Sequence, residues 1–137
     1  MESRPDEDWS VSRCPGEGGY ALLLDYGDAR EDLRLVHPSG RTSDLALGRI
    51  AAGAFNALGE RAEWRGLKTG STFVPSAMIV RSRIVTNPER PEAPTAVLVV
   101  VDLVRGCVAA QVSPGPAQND QARAIADNIG SRPCRNA

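Results

Sequence analysis

The sequence predicts an α+β domain, an antiparallel sheet of five to seven strands with a C-terminal helix packed on it. Three observations carry that expectation. First, the run from Thr95 to Val104 is almost unbroken Val and Leu, Arg105-Gly106 reads as a turn, and Cys107 to Val112 is a second, milder apolar run. β-Branched enrichment, short length and a glycine in the connector favour a hairpin over a helix. Second, Ala122, Ile125, Ala126 and Ile129 recur at i, i+3, i+4 and i+7 within Ala117 to Ile129, the spacing of an amphipathic helix. Third, several shorter alternating runs precede the hairpin, punctuated by Gly and Pro turns.

A chain of 137 residues forms one domain and can bury a core of its own. Residues 1–8 are polar and acidic and are expected to be mobile, which leaves 9–137 as the domain. Trp9 to Cys14 alternates and reads as a first strand, and Pro15 to Gly19 as a turn. Tyr20 to Tyr26 and Asp32 to His37 follow as strands around a turn at Gly27 to Arg30, and Pro38-Ser39-Gly40 ends the second. Residues 44–58 present Leu47, Ile50, Ala51, Ala54, Phe55 and Leu58 on a helical stripe, with Ser43 as N-cap and Gly59 as C′, so a second helix is expected. Gly48 and Gly53 oppose it by about 1 kcal/mol each relative to Ala, and a broken helix or an irregular loop is the alternative. Glu60 to Arg65 reads as a short strand, Gly66 to Thr72 as a loop, and Phe73 to Val85 as a long strand. In that strand Met78, Val80, Ser82 and Ile84 face one side and Ile79, Arg81, Arg83 and Val85 the other. Thr86 to Pro94, with three prolines, is a surface connector.

With Arg105-Gly106 as a two-residue loop, Val104 faces Cys107 and Leu103 faces Val108. One face of the hairpin then carries Val99, Val101, Leu103, Val108, Ala110 and Val112; the other carries Leu98, Val100, Val104, Cys107 and Ala109, with Asp102 and Gln111 interrupting. Burying six such side chains is worth roughly 9–18 kcal/mol before chain entropy is subtracted. Both faces need cover. The terminal helix, with Asn119 as N-cap and Gly130 as C′, can return across the hairpin and bring Cys134 to Cys107. That bridge would contribute roughly 3–4 kcal/mol in the chain-entropy model. The alternative is three reduced, buried thiols; if the bridge forms, Cys14 is left over.

Composition excludes several functions. Net charge is −1, the charges are interspersed, and there are two each of Trp, Tyr and Phe, so neither a nucleic-acid footprint nor a base-stacking platform is present. No apolar run reaches the length of a membrane-spanning helix, so no membrane insertion is expected. Lys68 is the sole lysine among 16 basic residues. Nucleotide composition of the source genome explains the arginine bias more readily than an affinity for phosphate or carboxylate does. No signal peptide is visible in Met1 to Asp8, which leaves a cytoplasmic protein or the mature form of a periplasmic or secreted one. A disulfide would favour the second.

Motifs for chemistry are weak. Gly16-Glu17-Gly18-Gly19 precedes a strand rather than a helix, so it reads as a hairpin turn and not a phosphate cradle. Lys68-Thr69-Gly70 matches one triplet of penicillin-recognising enzymes without the Ser-x-x-Lys that must accompany it. His37, the only histidine, is expected half-exposed at a strand end. Asp25, Asp28, Glu31 and Asp32 lack the spacing of a calcium loop and read as solvated turn charges. Arg65, Arg81 and Arg83 are expected on one sheet face near Glu63, in charge pairs or as an anion site. No metal and no cofactor is indicated.

Several landmarks together carry a resemblance: Trp9, Arg13-Cys14-Pro15-Gly16, Gly18-Gly19-Tyr20, Gly27-Asp28-Ala29-Arg30, Phe55-Asn56-Ala57-Leu58-Gly59, Glu63-Trp64-Arg65, and the Cys107 and Cys134 pair around the terminal helix. In these the chain resembles a group of small exported bacterial proteins, most of them uncharacterised. The resemblance implies export with removal of a signal and assigns no catalytic residue. In size, β-content and the Ser39-Gly40 loop it is also similar to periplasmic lysozyme inhibitors. The expected function is that of a non-enzymatic exported binding domain, monomer or homodimer, for a protein or a small anion. Candidate contacts are Arg65, Arg81, Arg83, Asp28, Arg30, Ser39 and Gly40. The alternatives are an inhibitor-like protein and a hydrolase using carboxylates near Asp25–Asp32 with Arg81 or Arg83.

Overall fold

A computed structural model describes residues 2–4 and 9–135. The α+β class is as expected, but among the described residues the strands number ten and divide into two five-stranded antiparallel sheets. The first sheet is β1 (Glu2–Arg4), β2 (Trp9–Pro15), β3 (Ala21–Gly27), β4 (Arg30–Val36) and β5 (Thr42–Asp44), in chain order. Glu2–Arg4 thus pairs with β2; the rest of the segment expected to be mobile, residues 1 and 5–8, lies outside the described residues. The second sheet comprises β6 (Asn56–Leu58), β7 (Glu63–Thr69), β8 (Thr72–Ile84), β9 (Thr95–Asp102) and β10 (Cys107–Val112). Its order is β10-β9-β8, and β6 and β7 lie one after the other along the far edge of β8. Helix α2 (Gln118–Asp127) packs on this second sheet.

The layers follow from β9. Val99, Val101 and Leu103 join Met78, Val80, Leu33 and Leu35 between the sheets, while Leu98 and Val100 join Ala77, Ile79, Ala122, Ala126 and Ile129 beneath α2. Leu35, Met78, Val99, Val100, Val101 and Leu103 are fully buried, each worth about 1.5–3 kcal/mol by transfer from water. The expected alternation of Met78 and Val80 against Ile79 holds, as does the buried stripe of α2. Both faces of the hairpin are covered within the chain, so its core needs no second copy.

The hairpin register differs from the expected one. The connector is four residues, 103–106, Cys107 pairs with Asp102, and the ladder shifts by one between Val108 and Ala110. A bulge reverses which face the following residues occupy. Val108 therefore points between the sheets, while Ala110 and Val112 face α2. Val104 is left exposed. Asp102 sets the turn: it is buried, accepts Arg105 N–H at 3.1 Å and Arg105 Nε at 2.7 Å, and Gly106 N–H reaches its carbonyl at 2.8 Å. The Arg105 guanidinium also donates to the carbonyls of Ile129 and Arg132, tying the turn to the end of α2. Nearby, Cys107 and Cys134 form a disulfide, with Cα atoms 5.7 Å apart. Cys14 is free and half-buried.

The second helix shrinks to a single turn, α1 (Leu47–Ile50). Ser43 belongs to β5 and does not cap it; the cap comes from β4, where Asp32 accepts Leu47 N–H at 2.7 Å and Gly48 N–H at 3.1 Å. Ala52 and Gly53 then take positive φ and end the helix, and residues 56–58 become a strand. Asn56 explains the change: its buried amide exchanges two 2.9 Å hydrogen bonds with the backbone of Glu31, joining the two sheets. Residues 66–69, expected as loop, extend β7 instead. Neither expected cap of α2 is used: Ala117 occupies the N-cap without a side-chain bond, and Gly130 lies in a 3-10 turn, Ile129–Ser131. Gln118 anchors the first turn of α2, donating to Ala96 and Val112 carbonyls at 2.8 and 3.1 Å.

Two outcomes follow. Denatured but unreduced protein takes up one equivalent of alkylating reagent, at Cys14, read as a single mass increment. Arg105→Ala leaves the buried Asp102 carboxylate unpaired and lowers unfolding free energy by about 3 kcal/mol, measured by urea denaturation.

Candidate functional site

Strand β8 places Ile79, Arg81 and Arg83 on the face that α2 covers, but the helix reaches only part of that face. Between β6 and β7 the edge of β8 is unpaired in regular fashion. The register runs from Leu58 opposite Ser82 to Glu63 opposite Ile79, so residues 59–62 span only Val80 and Arg81. The surplus chain bows outward, held at its start by Gly59 N–H on the Arg81 carbonyl at 2.8 Å. A cleft of about 640 Å³ results, walled by residues 59–63, floored by Ile79 and Leu98, and closed on the helix side by Asn119 and Arg123. Arg61, Arg81 and Arg83 line it together with Glu60.

The arginines differ in what they already hold. Arg123 makes a bidentate pair with Glu63, both bonds 2.9 Å. Arg65 donates to Glu63 at 2.8 Å and, bidentate, to Asp127 at 2.7 and 3.0 Å. Hydrogen bonding from Arg123, reinforced by Arg65, holds the Glu63 carboxyl below the usual carboxylate range, and Arg65 does the same to Asp127. These pairs tie β7 to α2 and leave Arg65 committed. Arg61, Arg81 and Arg83 form no ion pair with any described residue, and the Nε of Arg81 is buried without a hydrogen-bond partner. An N–H in that position costs roughly 1–3 kcal/mol until an acceptor reaches it. A planar guanidinium of this kind matches carboxylate or phosphate oxygens.

The other expected contacts lie elsewhere. Arg30 is spent on the β3–β4 turn, pairing with Asp28 at 2.6 Å, donating to the Gly53 carbonyl at 2.9 Å and lying over the Phe55 ring. Ser39 and Gly40 form the tip of a tight turn closed by Gly40 N–H on the His37 carbonyl. Asp25 is bidentate with Arg34, Asp32 caps α1, and Glu31 accepts Leu58 N–H, so these carboxylates are distributed over separate structural tasks. No metal-ligand cluster occurs among the described residues. Of the three arginines expected on one face, Arg81 and Arg83 line the cleft, whereas Arg65 is held by Glu63 and Asp127 and does not line it, and Asp28, Arg30, Ser39 and Gly40 lie elsewhere. Arg61, Asn119 and Arg123 were not signalled by the sequence, because only the docking of α2 and the surplus in 59–62 bring them there.

His37 corrects its expectation: it is buried, not half-exposed. Its Nε2 lies 2.8 Å from Ser43 Oγ, within the range of a nucleophile and its base. Arg41 Nη2 stands 3.3 Å from Nδ1. A guanidinium can only donate, so Nδ1 is the bare acceptor and Nε2 carries the proton toward Ser43. That polarity is the reverse of an activated serine, in which Nδ1–H is held by a carboxylate. Gly106 packs so tightly on the pair that a Cβ there would meet Ser43 Oγ at 2.2 Å. His37 is therefore a buried polar link within the first sheet, and Arg41, which it holds, donates to the Val104 carbonyl of the hairpin turn at 3.5 Å.

Comparison with known proteins returns nothing: no family model, no curated protein and no solved structure matches the chain.

Burial first, and the Arg41 charge second, lower the pKa of His37 below the usual histidine value. The unfolded chain then takes up this proton at a higher pH than the native protein. The contribution of His37 to stability is complete above about pH 6.5 and is lost as pH falls below it. Unfolding free energy accordingly drops more steeply between about pH 7 and pH 5 in the wild type than in His37→Gln, as followed by urea denaturation.

Proposed function

We propose that this protein is a non-enzymatic binding domain, exported from the cytoplasm, whose ligand is an organic anion held in the arginine cleft between residues 59–63 and α2. The observation that carries the reading is the buried, unpartnered Nε of Arg81. Arg83 and Arg61 supply further positive charge, and the apolar floor of Ile79 and Leu98 suits a ligand with a carbon body rather than a bare ion. The cleft volume lies in the range of small-molecule sites. Binding is favoured over hydrolysis because the carboxylates near Asp25–Asp32 are each engaged away from these arginines, and because His37 is tied in the unreactive polarity. Export is supported by the Cys107–Cys134 disulfide, since such bonds persist in oxidising compartments. No described helix is long and apolar enough to cross a membrane.

Calorimetric titration with inorganic phosphate, succinate and benzoate tests the site. Wild type binds at least one of them, organic anions more tightly than phosphate. Arg81→Ala weakens binding by about ten-fold or more, equivalent to ~1.4 kcal/mol. Arg90→Ala, which removes an exposed guanidinium paired with Glu92, leaves binding unchanged. Equal loss in both variants, or no heat with any of the anions, refutes the assignment.

A further inference from the structure

The bow at residues 59–62 has a second side. On the opposite face of the sheet, where the two sheets part, it walls a slot of about 520 Å³. The first sheet contributes Leu22, Leu24 and Leu33 to this slot, and the second contributes Leu58, Val80 and Trp64. Leu24, Leu58 and Trp64 pack against the inter-sheet core yet remain only partly buried, so the slot opens that core to solvent along one side. Its volume falls in the range of small-ligand sites, and its walls are more apolar than polar, with the aliphatic side chains and Trp64 facing each other across it.

The charges around it have one predominant sign. Glu17, Glu31 and Glu60 line the slot against a single guanidinium, Arg61. Glu17 and Glu60 form no ion pair with a described residue, and Glu31 is held in place by the Leu58 N–H on its Oε1. An apolar slot bordered by excess carboxylate is complementary to a chain of hydrocarbon ending in a positive charge.

We propose that the slot between the sheets is a binding site for a cationic amphiphile, its alkyl chain among Leu24, Leu58 and Trp64 and its ammonium group beside Glu17 and Glu60. This site shares the wall of residues 59–62 with the arginine cleft but opens on the opposite face of the second sheet, and it does not depend on anion binding there. The residues that would report on occupancy are already in place. Trp64 is a wall of the slot, and the free thiol of Cys14 lines it.

The test uses alkyltrimethylammonium chlorides of ten, twelve and fourteen carbons, each below its micelle concentration, with the full chain in the Trp9→Phe background so that Trp64 alone fluoresces. Binding shifts Trp64 emission and slows alkylation of Cys14. Each added methylene tightens binding by about four-fold, the equivalent of ~0.8 kcal/mol per buried CH₂. Dodecyl maltoside binds more weakly than the twelve-carbon cation, and dodecyl sulfate more weakly still. Glu17→Gln/Glu60→Gln, which removes two of the three carboxylates bordering the slot, removes the preference for the cation while binding of dodecyl maltoside persists. Arg81→Ala leaves all of these readouts unchanged. The proposal is overturned if no amphiphile protects Cys14, if dodecyl sulfate binds as tightly as the cation, or if the double variant keeps the cation preference.

Discussion

A strand that is apolar on both faces cannot lie at a surface, and β9 is such a strand. Leu98, Val99, Val100 and Val101 are all buried, so two separate layers must be laid against it. The chain supplies them from its two ends. The N-terminal meander covers one side through Leu22, Leu33 and Leu35, and the C-terminal helix covers the other through Ala122, Ala126 and Ile129. Everything else in the molecule is a consequence of holding these three layers in place. The ties include Asn56 and Glu31 between the sheets, the Arg65 and Arg123 pairs between β7 and α2, Asp102 with Arg105 at the turn, and the disulfide at the chain end.

The choice of side chain beneath α2 shows how closely that layer is fitted. The bulge in β10 turns Ala109 and Ala110 together toward the helix, and the helix answers with Ala122 and Ala126. Small residues on both surfaces let the helix approach without leaving a void. A leucine at any of these positions would overpack the layer, costing about 1–3 kcal/mol.

What was legible in the sequence was whatever depended on local periodicity. The hairpin, the terminal helix and the alternation of β8 each write their pattern within a dozen residues, and the structure contains all three. The pairing of Cys107 with Cys134 was also reachable, since it required only that the helix fold back. Illegible were the features fixed by partners far along the chain. Residues 44–58 carry a helical stripe, yet Asn56 is more valuable as a bond to Glu31 than as a helix position, and Ala52 with Gly53 turns the chain to deliver it. Asp32 gave no sign that it would cap a helix fifteen residues later. The β10 bulge and the four-residue turn are similarly silent, because Asp102 reads as an interruption until Arg105 is seen to close on it. At the candidate site, Arg81 and Arg83 could be placed on a common face by alternation alone, but what distinguishes Arg81 is a buried Nε with no acceptor, which no linear pattern records.

The two cavities have a common origin in chain geometry. An edge strand that matched β8 residue for residue would lie flat against Val80 and Arg81 and seal both faces of the sheet. Four residues laid against two cannot lie flat. The surplus must bow, and the bow lifts cover from Arg81 on the helix side and from Leu24 and Leu58 on the other. The exposed surfaces then differ in character only because strand alternation sends arginines to one face and aliphatic side chains to the opposite one. Such an opening is expensive: it leaves a buried N–H without an acceptor and hydrocarbon without contacts. The bow carries the cost of both openings, and the charge on its two sides differs in sign, which is the premise on which both proposed sites rest.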